Sequence, residues 1–527
     1  MDPRNEKRDL LLPPETQTMY DTAVLCGRYL KNRAASVSKA VRSTGAVASH
    51  LTSPRRSSSP GGRANHHTTT TPKPSRGQSA TAYLSGVRGI AAVIVFIFHS
   101  TWAYSRIVED GYGWHAEEGE NLHILQLPFV RLVHAGHAMV GIFFLIGGYV
   151  NAMKPLRLMR EHRQAELAPA VASSLLRRGV RLWLPALAAT FTTALLTYAG
   201  VFEPARHNID TLEGVFNWAD FHPGRQDTLM GTLRDWRQQM IQLIDPWKQP
   251  FWTHYDPHLW TVPLEFRASL IVSLSLSAVA CCRVGPRLAI MTLLTVFSLR
   301  FDRWEVVLFM TGAMLAELDL MRRDAAAKAA MPPPMADSLG IDDEDVEAKR
   351  EDVPRRPPRA ERRMIQGLGI MLLALAGMYL MSCPPAHPEE TPGFMLVWEW
   401  LVPSWTGDGK RYVHGAGAVL FLVAVSSSAT LQRPFLTSTA QYLGTISYSL
   451  YIVHGPVLHA VGYVVTPWML ARTGDETDRD WATAMVLSGA FNFAVTLCVA
   501  DVFYRFVDVG SVRVAAAFQR MCSMGGY

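Results

Sequence analysis

The chain has 527 residues, of which 49% are hydrophobic, and it carries a formal net charge of +6. Its mean hydropathy of +0.08 is an average of long apolar runs and very polar segments, which excludes a uniform soluble domain and points to a polytopic membrane protein. The excess charge lies in the N-terminal segment and in short basic clusters beside the apolar runs, the pattern that holds loops in the cytosol, so no nucleic-acid partner is expected.

In chain order, residues 1–80 read as a disordered basic tail, because Ser/Pro/Gly/Thr-rich stretches such as Thr52–Gly62 cannot bury a core. No cleavable signal peptide is expected at the start, where Met1 to Asp9 leads only into Leu-Leu-Leu-Pro-Pro. His66-His67 reads as solvated low-complexity sequence. From Leu84 onwards the apolar runs predict an all-α transmembrane bundle of ten spans, at about 85–104, 137–153, 180–202, 259–281, 286–301, 304–321, 364–382, 412–429, 441–464 and 482–507. The fifth and sixth are short and separated only by Asp302-Arg303.

Basic residues place the loops after spans two, four, six and eight on the cytosolic side, with both termini there too. The long Phe202–Pro257 loop falls on the opposite side. The expected organisation is a tail (1–80), a first bundle half (81–321), a flexible charged cytosolic loop (322–363), a second half (364–508) and a cytosolic C-terminal tail (509–527). The six cysteines, at 26, 281, 282, 383, 498 and 522, show neither a Cys-x-x-Cys pair nor zinc-ligand spacing, so they read as unpaired, and no metal or tightly bound cofactor is expected.

Polar residues inside the spans carry the chemistry, since an ionisable group at such depth is costly unless it faces a cavity or a partner. Arg88 and His99 share the first span and lie about 16–17 Å apart along its axis. Glu265 sits about 10 Å into the fourth span and His454 about 20 Å into the ninth. Counted from opposite membrane faces, His99, Glu265 and His454 reach similar depth, and a carboxylate with two imidazoles suits general acid/base chemistry. Two structural alternatives stay open: Glu265 pairs with Arg267 or a histidine, and His454, before Gly455-Pro456, caps a kinked helix. Arg88 and Arg181, within the first turns of their spans, suit phosphate binding, whereas Arg177 and Arg178 read as positive-inside anchors.

Four stretches in order carry a resemblance. They are Leu84-Ser-Gly-Val-Arg88-Gly with His99, Gly141-Ile-Phe-Phe-Leu-Ile-Gly-Gly-Tyr149, His258-Leu-Trp260-Thr-Val-Pro-Leu-Glu265-Phe, and Ile446-Ser-Tyr448-Ser-Leu-Tyr-Ile-Val-His454-Gly-Pro. Over 82–507 the chain resembles the acyltransferase 3 family of integral-membrane O-acyltransferases, fungal members in particular. Ser85 and Gly147 depart from the family's usual Asp and Ser. The resemblance implies transfer of an acyl group, commonly acetyl, from acyl-CoA as co-substrate to a hydroxyl of a small molecule, a glycan or a lipid. It implies His99 as general base oriented by Glu265, CoA phosphates at Arg88 and Arg181, and an acceptor near Trp260, Tyr448 and His454. A proton-coupled transporter using the same polar residues is the rival class, disfavoured by the lack of an internal repeat.

Overall fold

The structure is a computed structural model and describes residues 80–220, 223–248, 250–330 and 359–522. The expected tail, apart from its last residue, and residues 331–358 of the charged loop lie outside the described residues. Among those described, the regular elements are all helical.

The principal helices are α1 (Ala82–Trp102), α2 (Gly136–Arg160), α3 (Gln164–Tyr198), α4 (Leu229–Ile244), α5 (Thr261–Ala278), α6 (Val284–Arg300), α7 (Trp304–Ala330), α8 (Arg359–Met381), α9 (Lys410–Ser427), α10 (Ser438–Val457), α11 (Asp478–Phe503) and α12 (Val509–Cys522). Helix α10 runs on through a π turn, Leu458–Gly462, into Tyr463–Thr473, and α11 passes through another, Tyr504–Asp508, into α12. Residues 509–522, expected as tail, are therefore helix.

By length and composition seven helical segments among the described residues can cross a membrane, and an eighth if α9 is joined across a 106° bend to Ala429–Leu436. The two remaining spans of the ten-span expectation are α6 and α7. Helix α6 has only 17 residues. Helix α7 carries Glu305, Glu317 and Asp319, three acids that make it less apolar than the other spans. The structure pairs them. Arg267 donates to Glu305 at 2.6 Å, and Arg160 and Arg287 both donate to Glu317 at 2.8 Å. A buried carboxylate with two guanidinium partners escapes most of the cost of an unpaired charge in hydrocarbon.

Apolar side chains left open on the bundle's periphery, among them Leu274, Leu293, Val486 and Phe506, suit contact with lipid. Inside, close backbone approach sets the crossings. At the α1–α10 crossing a Cβ on Gly444 would lie 2.2 Å from the Ser85 carbonyl oxygen, and at the α2–α7 crossing one on Gly312 would lie 2.1 Å from that of Leu145. Only glycine lets helices meet this closely.

The segment before α5 is built to hold its side chains in place. Gln239 on α4 accepts hydrogen bonds from Thr253 Oγ1 at 2.8 Å and from the His254 backbone N–H at 2.9 Å, while Tyr255 donates to Asp235 at 2.8 Å. The chain then enters a short 3₁₀ turn, Pro257–Trp260, with Asp256 as N-cap and Pro257 at the first position.

Candidate active site

Two groups of polar residues face each other through the bundle. The first lines a cavity of about 490 Å³ between α1, α2, α3, α5, α10 and α12. Four arginines (Arg88, Arg177, Arg178 and Arg181) line it against two carboxylates, Glu265 and Asp508, so the cavity carries a positive surplus. Arg178 donates to Glu265 at 2.7 Å, and the buried Nε of Arg178 has no partner. Tyr448 also lines the cavity, its hydroxyl donating to the Leu182 carbonyl at 2.7 Å. Arg88 and Arg181 make no ion pair among the described residues, which leaves their guanidinium groups for an anionic guest.

The far end of the cavity is lined by Val95, Thr261, Val262 and Tyr451. Tyr451 and Thr261 join their hydroxyls at 2.5 Å, and Tyr451 also donates to the His258 carbonyl. No histidine lines the cavity; the imidazoles begin beyond these hydroxyls.

That second group is a cluster of rings. His99 on α1 packs on His258, with centroids 4.1 Å apart, and lies 5.3 Å from His454 of α10. His99 Nδ1 and His258 Nε2 are 3.1 Å apart, and His258 Nδ1 donates to Asp256 Oδ1 at 3.0 Å. His258 and His454 are buried, whereas His99 is half-buried and is the most open of the three. His454 donates through Nδ1 to the Tyr451 carbonyl at 2.5 Å, leaving its buried Nε2 without a partner. His454 thus bonds a carbonyl of its own helix, three residues back, and its ring sits in the cluster.

A carboxylate reaches the cluster from the loop that carries α4. Asp220 Oδ2 lies 3.3 Å from His258 Nε2 and 3.5 Å from His459 Nε2. Burial works against its ionisation, but the two imidazoles outweigh that and hold its carboxyl well below the usual carboxylate range. Burial pushes the Asp256 carboxyl up, and its bond to His258 pulls it partly back. His99, His258 and His454 each bring one ring nitrogen within 4.8 Å of the others, a spacing that a metal ion can bridge. Sequence spacing missed this set because His258 comes from a segment ahead of its span.

The expected site residues therefore divide between two places. His99 and His454 meet as foreseen. Glu265, expected to orient His99, instead accepts from Arg178 and shares the cavity with Arg88 and Arg181. The physical reason is the depth count: the loop over α4 buries the start of the span, so His258 occupies the level of His99. Glu265, seven residues on, lies about 10 Å further along the helix. Arg178, which read as an anchor, lines the cavity. Trp260 does not; it stacks under Arg411, 5.2 Å from its ring centroid, beside Trp304 and Trp252. The sequence signal for the missed pair was Asp256-Pro257-His258 itself, an N-cap and a first-position proline just ahead of an apolar run.

Comparison with known proteins places the chain in a family. The family model described as an acyltransferase domain, of the acyltransferase 3 family, matches residues 81–505. O-acetyltransferase PaAT-1 of Phomopsis amygdali is 28% identical over 466 residues, covering 84% of this chain and 85% of its own length. Acyltransferase clz18 of Cochliobolus lunatus is 26% identical, covering 81% of this chain and 93% of its own length. Acyltransferase R4 of a Phoma species is 25% identical, covering 85% of this chain and 98% of its own length. No solved structure matches.

Proposed function

From the premise that this chain belongs to the acyltransferase 3 family, we propose that it is a membrane-embedded O-acyltransferase that moves an acetyl group from acetyl-CoA to a hydroxyl of a small molecule. The observation that carries this reading is the pairing of an arginine-rich cavity with a histidine cluster just past its end. The phosphates of CoA bind at Arg88 and Arg181, which suit bidentate, charge-assisted hydrogen bonds to anionic oxygens. The pantetheine arm then runs towards Val95, Thr261 and Tyr451, and the thioester passes Tyr451 to meet His99.

There His99 accepts the proton of the acceptor hydroxyl as its oxygen attacks the thioester carbonyl. The new C–O bond forms, the C–S bond breaks, and the CoA thiolate leaves and recovers the proton from His99. A positioned base of this kind contributes ~10²–10⁴ in rate. Acceptors of fungal secondary-metabolite type are the first choice, because the relatives are fungal and one is named as an O-acetyltransferase. The ten-span topology belongs to the same proposal: α6 and α7 cross as a pair with their acids neutralised, and both termini face the cytosol.

The test is turnover by purified full-length protein in detergent, given isotopically labelled acetyl-CoA and a panel of hydroxylated small molecules. Labelled ester with matching release of free CoA is the expected result. Neither ester nor CoA release from folded protein overturns the proposal.

A further inference from the structure

We infer that a slot between α5, α6 and α7 binds one membrane phospholipid, its phosphate beside Arg303 and Arg267 and an acyl chain along α5. The inference goes beyond the acyltransferase reading and needs only that α6 and α7 lie in the bilayer. The slot has a volume of about 280 Å³. Arg267, Ile271 and Ser275 line it, and their four-residue spacing puts them on one face of α5. Thr261, Val262 and Glu265, which line the donor cavity, lie on another face of the same helix.

Charge stands at one end of the slot only. Arg267, Glu305 and Arg303 line that end, beside the 202–257 loop and the α6–α7 turn. Arg267 donates to Glu305 at 2.6 Å and to the Pro246 carbonyl at 2.9 Å, while its buried Nε has no partner. Arg303 is exposed and makes no ion pair among the described residues. Its neighbour Asp302 is occupied elsewhere, accepting from Thr406 Oγ1 at 2.7 Å and from the Gly407 N–H at 3.0 Å. Arg267 and Glu305 cancel, so one positive charge is left over. That surplus, with the open Nε, matches the single negative charge of a phosphodiester.

The remainder is apolar. Ser275 lies two helical turns, about 12 Å, beyond Arg267 along α5. Leu294, Val306 and Met310 line the slot, and Phe297 and Phe301 flank it with rings open to the outside. Ser275 donates its hydroxyl to the Ile271 carbonyl at 2.8 Å and so asks no polar partner of a guest. The level of the charged end is marked independently. Trp247 and Trp405 are exposed there, and the Arg300 guanidinium stacks 4.9 Å from the Trp405 ring centroid. Exposed tryptophans and arginines at one level mark the headgroup zone of a bilayer. A charged head at that level with an apolar slot running inward is the polarity of a lipid.

The experiment is native mass spectrometry of full-length protein in detergent, titrated with dioleoylphosphatidylglycerol or with dioleoylglycerol. The two share their chains and differ in the phosphate-bearing head. One saturable phosphatidylglycerol adduct per chain is expected, with the diacylglycerol bound about 10–100-fold more weakly. Arg303→Ala should weaken the phospholipid about tenfold and leave the diacylglycerol unchanged. Ser275→Phe fills the deep end with an apolar ring and should remove both adducts. A wild-type size-exclusion profile shows that each variant has folded.

Equal affinity for the two lipids, or unchanged phosphatidylglycerol binding in both folded variants, would overturn the site. So would displacement of the adduct by inorganic phosphate, which would make it an anion site with no place for a chain. Turnover of acetyl-CoA without such an adduct overturns the lipid site alone. The adduct without turnover supports the lipid site and counts only against the acyltransferase reading.

Discussion

The arginine cavity and the histidine cluster are neighbours built on opposite principles. In the cavity, charge is left over: four arginines face two carboxylates, and Arg88 and Arg181 have no ion-pair partner among the described residues. In the cluster charge is nearly closed: each imidazole has a neighbour, and two carboxylates stand behind His258. An unbalanced buried site awaits a ligand, while a balanced one holds its own protons. Under the proposed function the difference makes donor binding and base chemistry separable, divided by the hydroxyls of Tyr451 and Thr261.

That separation yields predictions of decreasing size. His99→Ala should lose ~10²–10⁴ in turnover while binding acetyl-CoA like the wild type, measured by steady-state kinetics beside equilibrium titration. Equal losses in both quantities would mean the two regions act as one. The second variant, Glu265→Gln, removes a carboxylate beside Arg178 and should tighten donor binding by roughly tenfold or less, with kcat changed far less than in His99→Ala. If it instead abolished kcat at unchanged donor affinity, Glu265 would belong with the histidines after all. The third prediction lies outside both regions. Glu317→Ala leaves Arg287 buried without its carboxylate, while the more open Arg160 keeps Asp324, at a cost of about 3–5 kcal/mol. A lowered thermal midpoint, with donor affinity unchanged in the protein that remains folded, is the expected result.

Much of this was legible in the sequence because membrane helices announce themselves. Apolar runs located the crossing helices, and Arg88, His99 and His454 were conspicuous as polar residues at depths where burial is costly. Helices α6 and α7 were harder to judge. One is short, and the other is stabilised by ion pairs such as Arg267–Glu305, whose partners lie 38 residues apart. The Asp256–His258 pair was hidden for a different reason. Asp256 and His258 lie outside the apolar run, and they reach the level of His99 only because the loop carrying α4 folds over the end of α5 and pins Thr253 and His254 to Gln239. The same fold-over displaced Glu265 from the depth at which it was sought. Trp260, inside a motif, drew attention by its neighbours in sequence, yet its ring serves packing against Arg411.

The measurement that bears most directly on the central claim is equilibrium binding of acetyl-CoA to purified full-length protein, wild type against Arg88→Ala. Saturable binding by the wild type, weakened by about 10–100-fold in the variant, is what loss of a charge-assisted phosphate contact should give. No binding by folded wild type, or equal binding by both proteins, would contradict the assignment of the arginine cavity to the donor.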